Sequence, residues 1–157
     1  MLKLTALFLF LLPLSAQEDP AARYLGSWSG TARVAGKGSY RVNAVISRQG
    51  ENLRISHASR GGPGNSAHSG VVIAAPKGDG RCYTANIGPR NSPIPMNADL
   101  CFDEAGNLRL ASPVAKGSAI MSATGRSCSF NVSSPMGKAS GVMKKQAPKK
   151  RAKKEAV

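Results

Sequence analysis

Cys82, Cys101 and Cys128 carry the most reactive side chains in the sequence. They show no CxxC and no metal-ligand spacing, so neither a structural zinc site nor a dithiol redox motif is expected. Period-two alternation offers them another role. If Tyr83, Ala85 and Ile87 face inward, Cys82 faces outward. If Ala98, Leu100 and Phe102 face inward, so does Cys101 face outward. A hairpin centred between Asn91 and Ser92 sets the two cysteines directly opposite. Opposed side chains have β-carbons roughly 4.5–5.5 Å apart, close to the roughly 3.5–4.5 Å that a disulfide needs. Of the three possible pairings, Cys82–Cys101 is therefore expected, with Cys128 a buried free thiol beside Phe130 and Val132.

The remaining polar chemistry is sparse. His57 and His68 flank a glycine-rich stretch and could approach each other, but no third ligand accompanies them, so no metal is expected. Neither has an evident nucleophile and orienting carboxylate. Asp103 and Glu104 sit in a turn, and Asp99 lies on the polar side of a strand. Gly61-Gly62-Pro63-Gly64 lacks the lysine-serine ending and following helix of a phosphate cradle. No catalytic residues and no cofactor are assigned, and the chain is expected not to be an enzyme.

The elements that would position these residues are strands. Trp28, Gly30, Ala32 and Val34 share one face. Tyr40, Val42, Ala44 and Ile46 do the same, as do Leu53 and Ile55, then Leu108 and Leu110. Val71 to Ala75 reads as a strand buried on both sides. Turn residues separate the strands at Gly36-Lys37-Gly38, Gln49 to Asn52, Asp103 to Asn107 and Thr124-Gly125-Arg126. Ala58–Ser69 and Gly88–Pro95 read as longer, ligand-facing loops. About eight to ten short strands joined mainly by tight turns predict an all-β fold. A small antiparallel β-barrel is expected first, and a β-sandwich second.

Gly26-Ser27-Trp28-Ser29-Gly30, opening the first strand, resembles the Gly-x-Trp signature of lipocalins and related small barrels. The resemblance implies that Trp28 plugs the closed end of a barrel whose open end takes a small ligand. Alternation alone also places this single tryptophan on an apolar face.

The ends of the chain set the expected compartment. Met1–Ala16 has a basic start at Lys3, an apolar run and small residues at the end. That is the pattern of a cleaved signal peptide. The expected organisation is a signal peptide at 1–16, a linker at 17–24, one barrel domain at 25–143 and a disordered basic tail at 144–157. The mature chain is expected to lack a transmembrane segment and to be exported, either to a bacterial periplasm or outside the cell. Lys and Arg number 22 against 8 Asp and Glu, a net charge of +14. The tail holds Lys144, Lys145, Lys149, Lys150, Arg151, Lys153 and Lys154.

Such a field favours anionic partners, while few exposed aromatics and an export signal argue against nucleic acid. Trp28, Arg33, Arg41, Arg54 and Arg109 are the candidate ligand contacts. The expected function is an exported binding protein that engages a small apolar or anionic ligand at its loop end. The alternative is an envelope interaction or structural protein that docks on an anionic surface or protein through its basic face and tail. An inhibitor of a secreted enzyme would be one such case.

Overall fold

The computed structural model describes residues 18–88 and 96–148. The expected signal peptide and most of the basic tail lie outside these residues. The alternating segments form ten antiparallel strands: β1 (Gly26–Val34), β2 (Gly38–Gln49), β3 (Asn52–Gly61), β4 (Ser66–Lys77), β5 (Cys82–Asn86), β6 (Asn97–Phe102), β7 (Leu108–Ser112), β8 (Gly117–Thr124), β9 (Ser127–Ser134) and β10 (Gly137–Lys145). Each pairs with its sequence neighbours. β10 returns to pair with β1, so the sheet closes into a barrel and no sandwich forms. Closure removes the unpaired edges that an open sheet would present.

Alternation determines what is inside. Trp28, Ala44, Ile46, Leu53, Ala74, Tyr83, Leu100, Phe102, Leu108, Cys128 and Met143 are buried together. They gather toward one end, which a segment ahead of β1 covers. There Ala21 and Tyr24 are buried, and Ala22–Tyr24 forms a 3-10 turn. Residues 18–24 are thus a plug rather than the expected linker, because Tyr24 carries a large ring into the core. Phe102 packs between two aromatic rings, 5.7 Å from Tyr24 and 6.3 Å from Tyr83. Toward the other end, inward positions such as Val42, Ser59, Leu110, Ala119 and Ala139 are only half-buried, and Val132 is exposed. This end is open.

Three more expectations need correction. Ala58–Ser69 is not a long loop. β3 and β4 continue through it and turn only at residues 62–65, where Gly62 and Gly64 take positive φ values of 69° and 75°. Its many small polar residues occupy the splayed, wet part of the sheet. β4 is not buried on both sides either: Val72 and Ala74 face in, while Val71 and Ile73 are exposed. Finally, β10 runs past Met143. Lys144 and Lys145 pair with Ser29 and Trp28, so they belong to the barrel and not to a tail. Lys144 faces outward and Lys145 lays its chain over the Trp28 ring, so charge alone did not mark the strand's boundary.

Candidate functional site

The strands alternate in direction, so alternate connections share an end. The β2–β3, β4–β5, β6–β7 and β8–β9 turns lie at the closed end with the plug. The β1–β2, β3–β4, β7–β8 and β9–β10 turns lie at the open end. Glu51, Asp79, Asp103 and Glu104 occupy closed-end turns, and Glu18 and Asp19 belong to the plug. Asp99 lies on the barrel wall, 3.5 Å from Lys77. Among the described residues, the open-end turns contain no acidic side chain.

Two of the six described closed-end carboxylates, Asp19 and Asp103, make ion pairs. Asp19 binds Arg48 at 2.6 Å and accepts the Ala21 N–H. Burial alone would raise its pKa, but the Arg48 hydrogen bond, the Ala21 N–H and the Arg48 charge outweigh it and hold it below the usual value. Arg48 also reaches the Tyr83 hydroxyl at 2.8 Å. Asp103 accepts the Asn107 backbone N–H at 2.8 Å and binds Arg109 at 2.9 Å. Its pKa is lowered, chiefly by that backbone N–H. These contacts fasten turns and plug together. They are structural.

The open end differs. Arg33, Lys37, Arg41, Arg60, Lys116 and Lys138 lie on or beside its turns, and among the described residues none of them makes an ion pair. Arg41 and Arg60 stand directly opposite each other across β2 and β3. Like charges in that position repel, and an anion would relieve the repulsion. Arg33 is diagonal to Arg41, because Thr31 pairs with Arg41 and Arg33 with Ser39.

Near this end, β7 to β10 and the end of β1 form an open concavity of about 760 Å³. Leu110, Ala119, Ile120, Val132 and Ala139 give it apolar lining, and Arg33, Arg109 and Lys138 are its charged residues. The volume falls within the roughly 300–1,000 Å³ of small-molecule sites.

The four candidate arginines all face outward, yet they divide. Arg33 and Arg109 border the concavity, Arg109 with its charge engaged by Asp103. Arg41 belongs to the open-end group. Arg54 lies in the closed half of β3, bonded to Ser56 at 2.8 Å. Trp28 is far from these. It is buried at the closed end, donates from Nε1 to the Tyr24 carbonyl at 2.7 Å and has Lys145 Nζ 5.2 Å over its ring. Arg60, Lys116 and Lys138 were not singled out from the sequence. The signal that finds them is the acid-free character of every second turn.

Cys82 and Cys101 are opposed across β5 and β6 and form the disulfide, with Cα atoms 4.1 Å apart. Cys128 is buried, and burial pushes its thiol up to about 11, so it stays protonated near neutrality. His57 and His68 share the inward face near the open end, since His57 pairs with Gly70 and His68 with Ser59. A β-carbon at Gly70 would stand 2.7 Å from His57 Cε1, so the ring lies over that glycine. Among the described residues, no three His, Cys, Asp or Glu side chains gather as a metal site, and no helix is long and apolar enough to cross a membrane.

No protein-family model matches the chain, and no curated protein matches it. Among solved structures it is similar to a redesigned β-barrel, mFAP1, bound to DFHBI. The identity is 14% and the TM-score 0.44, over 81% of this chain and 99% of that one. A second redesigned barrel, mFAP0, also bound to DFHBI, is similar at 13% identity and a TM-score of 0.41, over 78% and 99%.

Proposed function

We propose that this chain is an exported, non-catalytic binding barrel that takes a small amphipathic anion: an apolar body carrying a carboxylate or comparable acidic head. The observation that carries the reading is the 760 Å³ concavity, with apolar lining and only basic residues among its charged ones. Arg33 and Lys138 are free of ion pairs among the described residues and supply the charge for the head group. Leu110, Ala119 and Val132 line the concavity's inward side and Ile120 its outward side, and one of these sides meets the apolar body. Export is supported by the Met1–Ala16 pattern and by a disulfide of the kind kept in oxidising compartments.

Titration calorimetry with decanoate, decanol and decylamine tests this. Decanoate should bind best and decylamine least. Arg33→Ala or Lys138→Ala should each weaken decanoate roughly tenfold, as loss of a charge-assisted hydrogen bond implies. Ala119→Phe and Ser140→Phe, one on each face of the lining, report which side receives the apolar body, because the occluding one abolishes uptake. No saturable uptake of decanoate, or equal affinity for decylamine, would refute the reading.

A further inference from the structure

Two turns at the open end have an unusual composition. The β7–β8 turn is Pro113-Val114-Ala115-Lys116, and Pro135-Met136 joins β9 to β10, with Lys138 just beyond. Val114 is 57% exposed and Met136 81%. A hairpin tip needs no apolar side chain, and the closed-end turns hold polar residues, glycine and one alanine, Ala105. Each apolar tip here follows a proline, whose fixed φ stiffens the turn, and each is followed two residues later by a lysine. The tips are neighbours. β8 and β9 pair between them, with Ser118 opposite Ser133, so they stand two strand spacings apart, about 10 Å. The next tip along the rim carries Lys37, and the adjoining Ala35 N–H donates to the Lys138 carbonyl at 3.0 Å. Arg33, Arg41 and Arg60 continue the same rim.

We propose that this rim docks the barrel, open end down, on an anionic phospholipid surface. Val114 and Met136 enter the boundary between head groups and acyl chains, while Lys37, Lys116 and Lys138 meet the lipid phosphates. Apolar insertion together with electrostatic attraction is how peripheral proteins hold such a surface. Lysines suit the position because their stems lie along the apolar layer while the ammonium stays wet. The placement of acids sets the orientation: six of the seven described carboxylates are at the opposite end, and the seventh is on the wall beside Lys77. A polysaccharide would explain the charge but leave two projecting apolar tips without a role. The rim shares Arg33 and Lys138 with the small-anion concavity, so its test substitutes Val114, Met136, Lys37 and Lys116, none of which lines that concavity.

Vesicle co-sedimentation decides it, using the chain from Gln17 to Val157, vesicles of pure phosphatidylcholine, and vesicles containing 30% phosphatidylserine. The chain should bind the anionic vesicles and ignore the neutral ones. Val114→Ser and Met136→Ser should each reduce partitioning roughly tenfold, and Lys37→Gln and Lys116→Gln about fivefold each. These residues are exposed, so unchanged melting and decanoate uptake show that the barrel is intact. The chain ending at Pro148 should keep its response to the tip substitutions. Tip variants that bind as the parent does, equal binding to neutral vesicles, or binding lost wholly with residues 149–157 would each overturn the proposal. Retention on heparin together with no vesicle binding would assign the rim to a polysaccharide instead.

Discussion

Tyr24 illustrates what one side chain does for this barrel. Its hydroxyl lies 2.8 Å from the Met121 carbonyl and 2.9 Å from that of Gly106, and it accepts the Leu108 N–H at 3.0 Å. It therefore ties the plug to β7, β8 and the β6–β7 turn. Burial raises its pKa above the usual tyrosine value, so it remains a donor at physiological pH. Tyr24→Phe keeps the ring but leaves the buried Leu108 N–H without an acceptor, a loss of about 1–3 kcal/mol. Thermal unfolding followed by circular dichroism should show a melting point lower by roughly 3–10 °C, with decanoate uptake at the other end unchanged. Trp28 was legible as core because it alternates with Ser27 and Ser29. Tyr24 was not, because it precedes the first strand and no periodicity flags it. Arg60 was missed for another reason: it lies in a stretch whose glycines and serines read as loop.

At the scale of elements, two features govern how the strands meet. The Cys82–Cys101 bond was legible, because alternation and a symmetric hairpin fix which residues oppose each other whatever the loop between them does. The seam between β1 and β10 was not. Gly30 and Gly141 lie on the inward face there, diagonal to each other across the pairing of Gly30 with Met143 and of Ala32 with Gly141. A β-carbon at Gly30 would strike the Val142 carbonyl and stand 2.7 Å from Met143 Cα. One at Gly141 would strike the Thr31 carbonyl and stand 2.6 Å from the Phe130 ring. Neither glycine has a positive φ, so the need is close approach rather than conformational freedom. Glycines of this kind let a strongly curved sheet turn and close. Gly30→Ala and Gly141→Ala should each destabilise by about 1–3 kcal/mol, read as a lower denaturant midpoint. Gly36→Ala places its methyl in open space, so its cost comes only from the φ of 71°. A Gly30→Ala variant no less stable than Gly36→Ala would remove the seam from this account. Nothing in the sequence distinguishes these two glycines from the others, since the contact they permit is with strands over 100 residues away.

The whole molecule is organised by its closure and by the polarity of its charge, and both depend on strand order. Once ten strands are known to run up and down, alternate turns fall on one end, and the gathering of acids at the plug follows from the sequence. Until then the same residues appear only as a net charge. Closure joins the first strand to the last: Trp28 pairs with Lys145, and Gln146 donates its N–H to the Ser27 carbonyl at 2.8 Å. Pairing so remote in sequence costs loop-closure entropy and ties the first strand's stability to the last. Removing residues 149–157 leaves every strand in place and should shift the melting point by less than about 2 °C. Removing residues 137–157 deletes β10, exposes the edges of β1 and β9, and uncovers Trp28 and Cys128. That chain should lose its cooperative transition and aggregate, since unpaired edges seek other strands. Calorimetry and light scattering on the two truncations separate these outcomes. A cooperative, monomeric transition in the chain that lacks β10 would mean that β1 and β9 close the barrel on their own.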